Sequence, residues 1–173
     1  KKFLLEHKPW GVILFSRNIK SLKQGKKLTD QIKRIFKDNN YPILIDQEGG
    51  RVNRLKKIFN ADTLTAEFFG KLYTNDKKKF YNFYKIFINQ TSFLLRSIGV
   101  NINTLPVLDL RLKGSNTVIG DRSFSKDPKI VSKIGDICID SFHSNNIGTV
   151  IKHIPGHGLA KVDSHKLTPT VNK

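Results

Sequence analysis

At 173 residues and 38% hydrophobic content, the chain has the size and apolar fraction of one ordinary folded domain or part of one, which excludes a disordered polymer. A formal charge of +17 raises nucleic acid as a partner. Only seven of the 31 basic residues are arginine, however, and the lysines are scattered over predicted helix surfaces and chain ends, a solvated-face pattern that argues against nucleic-acid binding.

No apolar run reaches the roughly 18 residues that a membrane-crossing helix needs, so no membrane partner is expected. The single cysteine, Cys138, precludes an internal disulfide and lies in a helical apolar pattern, where a buried, unreactive thiol is expected. There is no Met, and the chain opens in mid-pattern with Lys1-Lys2-Phe3-Leu4-Leu5. It stops at Thr168 to Lys173, just after its most motif-like stretch. Further sequence is therefore expected on both sides.

In chain order, Gly11-Val12-Ile13-Leu14-Phe15 is an apolar run emptying into Ser16-Arg17-Asn18, as in a buried strand followed by a loop. Ser21 and Gln24 form a capping-box pair, and Leu28, Ile32, Ile35 and Phe36 repeat at helical spacing until Asp38-Asn39-Asn40. A second strand, Pro42-Ile43-Leu44-Ile45, opens into Asp46-Gln47-Glu48-Gly49-Gly50-Arg51, after which the pattern is longer and less regular. From Lys79 to Ser97, residues Phe80, Phe83, Tyr84, Phe87, Thr91, Leu94, Leu95 and Ile98 form one apolar stripe, with Gly99 placed to stop the helix. A third strand region spans residues 101–110.

Asp127-Pro128 then caps a helix whose inner face is Val131, Ile134, Ile137, Cys138 and Phe142, with Gly148 as its terminator. Thr149-Val150-Ile151-Lys152 is the fourth strand. Four alternations of apolar strand and helix mark an α/β fold with a parallel sheet, either barrel or doubly wound. In both, active sites gather at the C-terminal ends of the strands, where every cluster of unusual polar residues in this sequence falls.

Four loops carry those clusters. Ser16-Arg17-Asn18 reads best as a structural hydrogen-bonding corner. Around Gly49-Gly50, the residues Asp46, Glu48, Arg51 and Arg54 form either a salt-bridged turn or a sugar clamp, since a carboxylate accepts two hydroxyl bonds while a guanidinium fork donates to others. Residues 118–124 place Arg122 beside Gly120. Finally, Lys152-His153-Ile154-Pro155-Gly156-His157-Gly158 leads to Asp163-Ser164-His165. His153 and His157 have the spacing of helical zinc ligands, but Pro155 and Gly156 between them oppose the helix that such a site requires, so no metal is expected. Asp163 and His165, two apart in an extended loop, project to one side; the carboxylate favours the imidazolium and fixes its tautomer, as a general acid/base requires.

Taken together, the blocks Asp46-Gln47-Glu48-Gly49-Gly50-Arg51-Val52-Asn53-Arg54, Pro106-Val107-Leu108-Asp109, Ile119-Gly120-Asp121-Arg122-Ser123-Phe124 and Lys152 to Gly158 with Asp163-Ser164-His165 resemble the signature blocks of bacterial β-N-acetylhexosaminidases of glycoside hydrolase family 3, NagZ type. The resemblance implies a (β/α)8 TIM barrel of which residues 1–173 supply about strands 2 to 5, as one part of a single catalytic domain truncated at both ends. It implies that Asp46, Arg54, Arg122, Lys152 and His153 hold an N-acetylglucosamine ring. In the same family pattern His165, assisted by Asp163, protonates the leaving oxygen and later activates water, while an Asp on a later strand attacks the anomeric carbon.

Residues 1–173 lack that later strand, so this chain alone is expected to be inactive on glycosides, and a half barrel with two free edges is expected to be marginally stable. No cofactor is implied. The implied role is cytoplasmic release of N-acetylglucosamine from muropeptide fragments in cell-wall recycling. The alternatives are a family 3 β-glucosidase-like exo-glycosidase, or a non-catalytic sugar- or nucleic-acid-binding remnant.

Overall fold

The computed structural model describes residues 1–114 and 116–170; Val171, Asn172 and Lys173, in the terminal stretch noted above, lie outside the described residues. Four short strands, β1 (Val12–Leu14), β2 (Ile43–Ile45), β3 (Ile102–Asn103) and β4 (Gly148–Thr149), form one parallel sheet in sequence order. The register pairs Val12 with Ile43, Leu44 with Ile102 and Ile102 with Gly148. A further parallel bridge joins Val107 to Lys152 beyond the last two strands. Strand-helix alternation with consecutive parallel neighbours is the arrangement of an arc of a (β/α) barrel, in agreement with the expected fold.

Helix α1 (Lys2–His7) precedes the sheet, α2 (Leu22–Phe36) joins β1 to β2, α3 (Ala66–Asn75) and α4 (Lys77–Ser97) join β2 to β3, and α5 (Pro128–His143) joins β3 to β4. Local chemistry sets the ends. Ser21 accepts from the Gln24 amide, while the Gln24 side chain accepts from Lys20 N at 2.8 Å and donates to Asn18 O at 3.0 Å, so the capping pair also fastens the preceding corner. Asp76 separates α3 from α4 and caps the second by accepting from Lys79 N at 2.9 Å. Past α4, Gly99 adopts φ +76°, and a Cβ there would lie 2.4 Å from Thr29 Oγ1. Only glycine turns the chain this tightly against α2.

Phe80, Tyr84, Phe87, Ile88, Leu94, Leu95 and Ile98 of α4 and its C-cap are buried, packed with Val131, Ile134, Cys138 and Phe142 of α5 and with Ile43 and Ile45 of β2. Burial pushes the Cys138 thiol up to about 12, leaving it inert. Among the described residues no helix is long and apolar enough to cross a membrane.

Four details differ from the expectations drawn from sequence. Phe83 is 55% exposed rather than part of the buried stripe, whose spacing runs 80, 84, 87, 88, 91 and so drifts away from position 83. Gly148 opens β4 instead of ending α5, which stops at His143 and turns through Asn146 at φ +56°. The irregular stretch after Arg51 contains α3, capped by Thr65 accepting from Phe68 N at 3.0 Å. The strands are also shorter than the apolar runs that announce them, because the runs continue into the loops at the sheet's C-terminal end.

Candidate active site

The loops after β2, β3 and β4 converge on one ion cluster. Asp46 directly follows β2; its Oδ2 accepts from Arg54 Nη2 at 3.2 Å, and its Oδ1 accepts from Lys152 Nζ at 3.2 Å and from the Thr104 hydroxyl. Two residues on, Glu48 accepts a bidentate pair from Arg122 (Nε to Oε2 and Nη2 to Oε1, each 2.8 Å), and Lys152 Nζ lies 2.6 Å from its Oε1. The side chains of Glu48, Arg122 and Lys152 are 6%, 13% and 13% exposed, so these are charges largely withdrawn from water.

Burial alone would raise both carboxyls. The hydrogen bonds from Thr104, Lys152 and Arg54 at Asp46, and from Arg122 and Lys152 at Glu48, outweigh it and hold both below the ordinary carboxylate range. The fork-to-fork match between Glu48 and Arg122 also fixes Arg122 in orientation, which a lysine could not achieve.

His153 adjoins the same cluster. Its Nδ1 lies 2.5 Å from Asp109 Oδ2, and its Nε2 lies 3.5 Å from Arg122 Nη2. Asp109 in turn accepts from the backbone N–H of His157 at 2.5 Å through its other oxygen. The structure thus brings Asp46, Arg54, Arg122, Lys152 and His153 into one connected network from three strand ends, joined by Glu48, Asp109 and Thr104. The charges balance, with three carboxylates facing three cations.

The loop bearing these groups is held from below. Gln47 and Asn103, both fully buried, exchange two bonds: Gln47 N donates to Asn103 Oδ1 and Asn103 Nδ2 to Gln47 O, each at 3.0 Å. Gln47 Oε1 also accepts from the Arg54 and Leu55 amides. Gly49 turns at φ +91°, where a Cβ would meet Leu64 O at 2.3 Å, so the acidic loop folds flat onto the sheet end.

Asp163 and His165 do pair, with Nδ1 and Oδ1 2.7 Å apart and the Asp163 carboxylate accepting from His165 N at 2.9 Å. The backbone bond first, and the imidazole bond second, hold the Asp163 carboxyl below its usual value. The imidazole is 79% exposed, and among the described residues no hydrogen bond or ion pair joins this dyad to the Asp46 cluster. The dyad nonetheless belongs to the loop after β4, which is tied to the loop after β3 by Asn116 N donating to Ala160 O at 3.0 Å.

Arg51, grouped by sequence with the clamp, points elsewhere: it pairs with Asp121 at 2.9 Å and donates to the carbonyls of residues 117–119. Asn18 forms the expected corner by accepting from Phe15 N at 2.9 Å. The guanidinium carbons of Arg17 and Arg54 lie 4.8 and 5.3 Å from the centre of the Phe15 ring. Residues 153–158 are irregular, as Pro155 and Gly156 require. Among the described residues no group of three His, Cys, Asp or Glu could hold a metal ion.

Residues 1–173 match the family model of the glycosyl hydrolase family 3 N terminal domain. The chain belongs to this family. It is 36% identical over 169 residues to a beta-hexosaminidase of Hydrogenovibrio crunogenus, an alignment covering 95% of this chain and 45% of that protein. Among solved structures, NagZ from Neisseria gonorrhoeae superposes with TM-score 0.77 at 30% identity, over 92% of this chain and 46% of the other. A family 3 β-N-acetylglucosaminidase from Paenibacillus gives 0.81 at 32% identity, over 98% of this chain and 32% of the other. The family 3 chain described here therefore spans about half the length of the curated relatives it matches.

Proposed function

We propose that this family 3 chain carries the sugar-binding half and the acid/base of a retaining exo-β-N-acetylglucosaminidase, acting in the cytoplasm on peptidoglycan fragments. The observation that carries the reading is the charge-balanced, mostly buried cluster of Asp46, Arg54, Arg122, Lys152 and His153 with Glu48 and Asp109 at the strands' C-terminal ends, and the Asp163–His165 dyad on the adjoining loop. A balanced set of rigid donors and acceptors suits an uncharged polyhydroxylated ring. Asp163 holds the His165 ring by Nδ1 and leaves Nε2 to pass a proton to the leaving oxygen and later to take one from water.

The attacking carboxylate comes from outside residues 1–173 in this reading. Each acidic side chain around the cluster already has a partner: Asp46 with Arg54 and Lys152, Glu48 with Arg122, Asp109 with His153, Asp121 with Arg51. Muropeptide specificity and the cytoplasmic setting rest on the family resemblance, with the lone reduced Cys138 in keeping with a reducing compartment.

The test is hydrolysis of chromogenic N-acetylglucosaminide and glucoside by the complete polypeptide, with His165→Ala alongside. Preference for the N-acetylated substrate and a loss of about 10²–10⁴-fold in His165→Ala are expected. Preference for glucoside would select the β-glucosidase-like alternative, and full activity without His165 would overturn the acid/base assignment. Residues 1–173 alone should give no turnover.

A further inference from the structure

His153 is constrained at both ring nitrogens by groups of opposite character. Nδ1 faces Asp109 Oδ2 at 2.5 Å, and the Asp109 side chain is 0% exposed. Nε2 faces Arg122 Nη2 at 3.5 Å, a guanidinium that is always a donor. An ionised carboxylate only accepts, so Nδ1 must carry a proton; a guanidinium only donates, so Nε2 must keep its lone pair. Both constraints select one neutral tautomer.

We infer that Asp109 is a positioning residue that fixes His153 as the Nδ1–H tautomer, so that an incoming ligand O–H or N–H can displace the long 3.5 Å contact from Arg122 and bond the Nε2 lone pair. Asp109 is itself well held for this purpose. Its second oxygen accepts from His157 N at 2.5 Å, so the carboxylate cannot rotate away without losing that bond. Burial would raise its carboxyl, but the bonds from His153 and from the His157 backbone outweigh this and keep it ionised. With the side chain of His153 37% exposed, the ring edge remains reachable from solvent.

The consequence is a rule of recognition. Whatever meets His153 Nε2 must present an O–H or N–H to it, because the imidazole lone pair is an acceptor; the neighbouring cations Arg122 and Lys152 take acceptors instead. In the reading given under Proposed function, on which only this step rests, the group is a sugar hydroxyl. A fluorine or methoxy group in its place cannot donate and meets a lone pair.

Long-range ¹H–¹⁵N correlation spectra of the imidazoles test the tautomer directly, with His153 assigned by the signal lost in His153→Gln. The Nδ1–H pattern is expected at neutral pH. Asp109→Asn, whose carboxamide can donate to Nδ1, should convert at least half of His153 to the Nε2–H form, and Asp109→Glu should restore the original pattern in part. A wild-type His153 that is Nε2–H or doubly protonated overturns the inference even if Asp109→Asn does not fold. So does a folded Asp109→Asn with the wild-type pattern, which would make Asp109 a loop tie only.

Binding of a deoxyfluoro N-acetylglucosamine series to the complete polypeptide then separates the two readings. One member weakened at least 10-fold in wild type, but not in His153→Leu, which has no acceptor, supports the acceptor role, and equal binding of the whole series in wild type overturns it. No binding of any N-acetylglucosamine would sink the sugar assignment while leaving the tautomer result intact.

Discussion

Glu48 is the residue on which the cluster's geometry most depends, and replacing it with glutamine changes charge while keeping shape. In the native cluster it receives two bonds from Arg122 at 2.8 Å and lies 2.6 Å from Lys152 Nζ, with its side chain 6% exposed. Glu48→Gln leaves two mostly buried cations facing a neutral amide, one of whose ends is itself a donor. Removing one partner from a buried charge pair costs about 3–5 kcal/mol. At about 2–4 °C per kcal/mol for a domain of this size, the melting temperature should fall by roughly 6–20 °C.

The pH dependence gives an independent check. The Glu48 carboxyl is lower in the folded than in the unfolded chain, so its contribution is fully present above the unfolded value, about 4.3, and is lost as pH falls through the folded one. Urea denaturation of both proteins between pH 7 and pH 3 should therefore show a stability gap that narrows on the acid side. A gap below about 1 kcal/mol at pH 7, within the range of an exposed ion pair, would refute the claim that this cluster is a buried, mutually dependent unit. Parallel stability curves down to pH 3 would refute the assignment of the effect to the Glu48 charge.

Phe80→Ala should cost about 3–5 kcal/mol in chemical denaturation, whereas Phe83→Ala should change stability by no more than about 0.5 kcal/mol. Equal losses would place Phe83 in the core after all. Gly70→Ala should lower the melting temperature or prevent folding, since its Cβ would lie 1.7 Å from Phe124 O, and α3 would have to move off the loop that carries Arg122. An unchanged melting temperature would contradict that packing. Asn103→Leu removes both sides of its exchange with Gln47 and leaves a buried Gln47 N–H and C=O without their partners, at about 1–3 kcal/mol for each. Its amide-exchange signature should be faster exchange at Gln47, and protection there equal to wild type would show that Asn103 does not hold the acidic loop.

The strand-helix rhythm was legible because the strands of a parallel sheet are written as continuous apolar runs, and the helix ends at Ser21, Asp127 and Gly99 carry signals in their own residue types. The same locality explains the misses. Helix α3 is 10 residues long and follows the irregular loop at residues 46–65, so its period is too brief to stand out. Phe83 lies three residues after Phe80, a spacing as good as four until the rest of the packed face is known. At the site, the residue types and their placement after strands were readable, as was the Asp163–His165 pair two positions apart. The choice of partners was not: Glu48 meets Arg122 across 74 positions and Asp109 meets His153 across 44, and nothing local distinguishes Glu48 from the surface acid it resembles in sequence. Arg51 shows the converse, since its position within the motif suggested the clamp, whereas the turn at Gly49 and Gly50 directs it toward residues 117–121.

Because β1, β2, β3 and β4 adjoin in the order in which they are written, each pairing waits only for the segment translated just before it. A nascent chain emerging from the ribosome can dock β2 on β1 and cover it with α2 before the later units exist, and each completed layer becomes the template for the next. Growth of this kind keeps one pairing edge open at the advancing end until synthesis moves past it. The time for which that edge stays bare is then set by the rate of elongation as much as by the rate of folding.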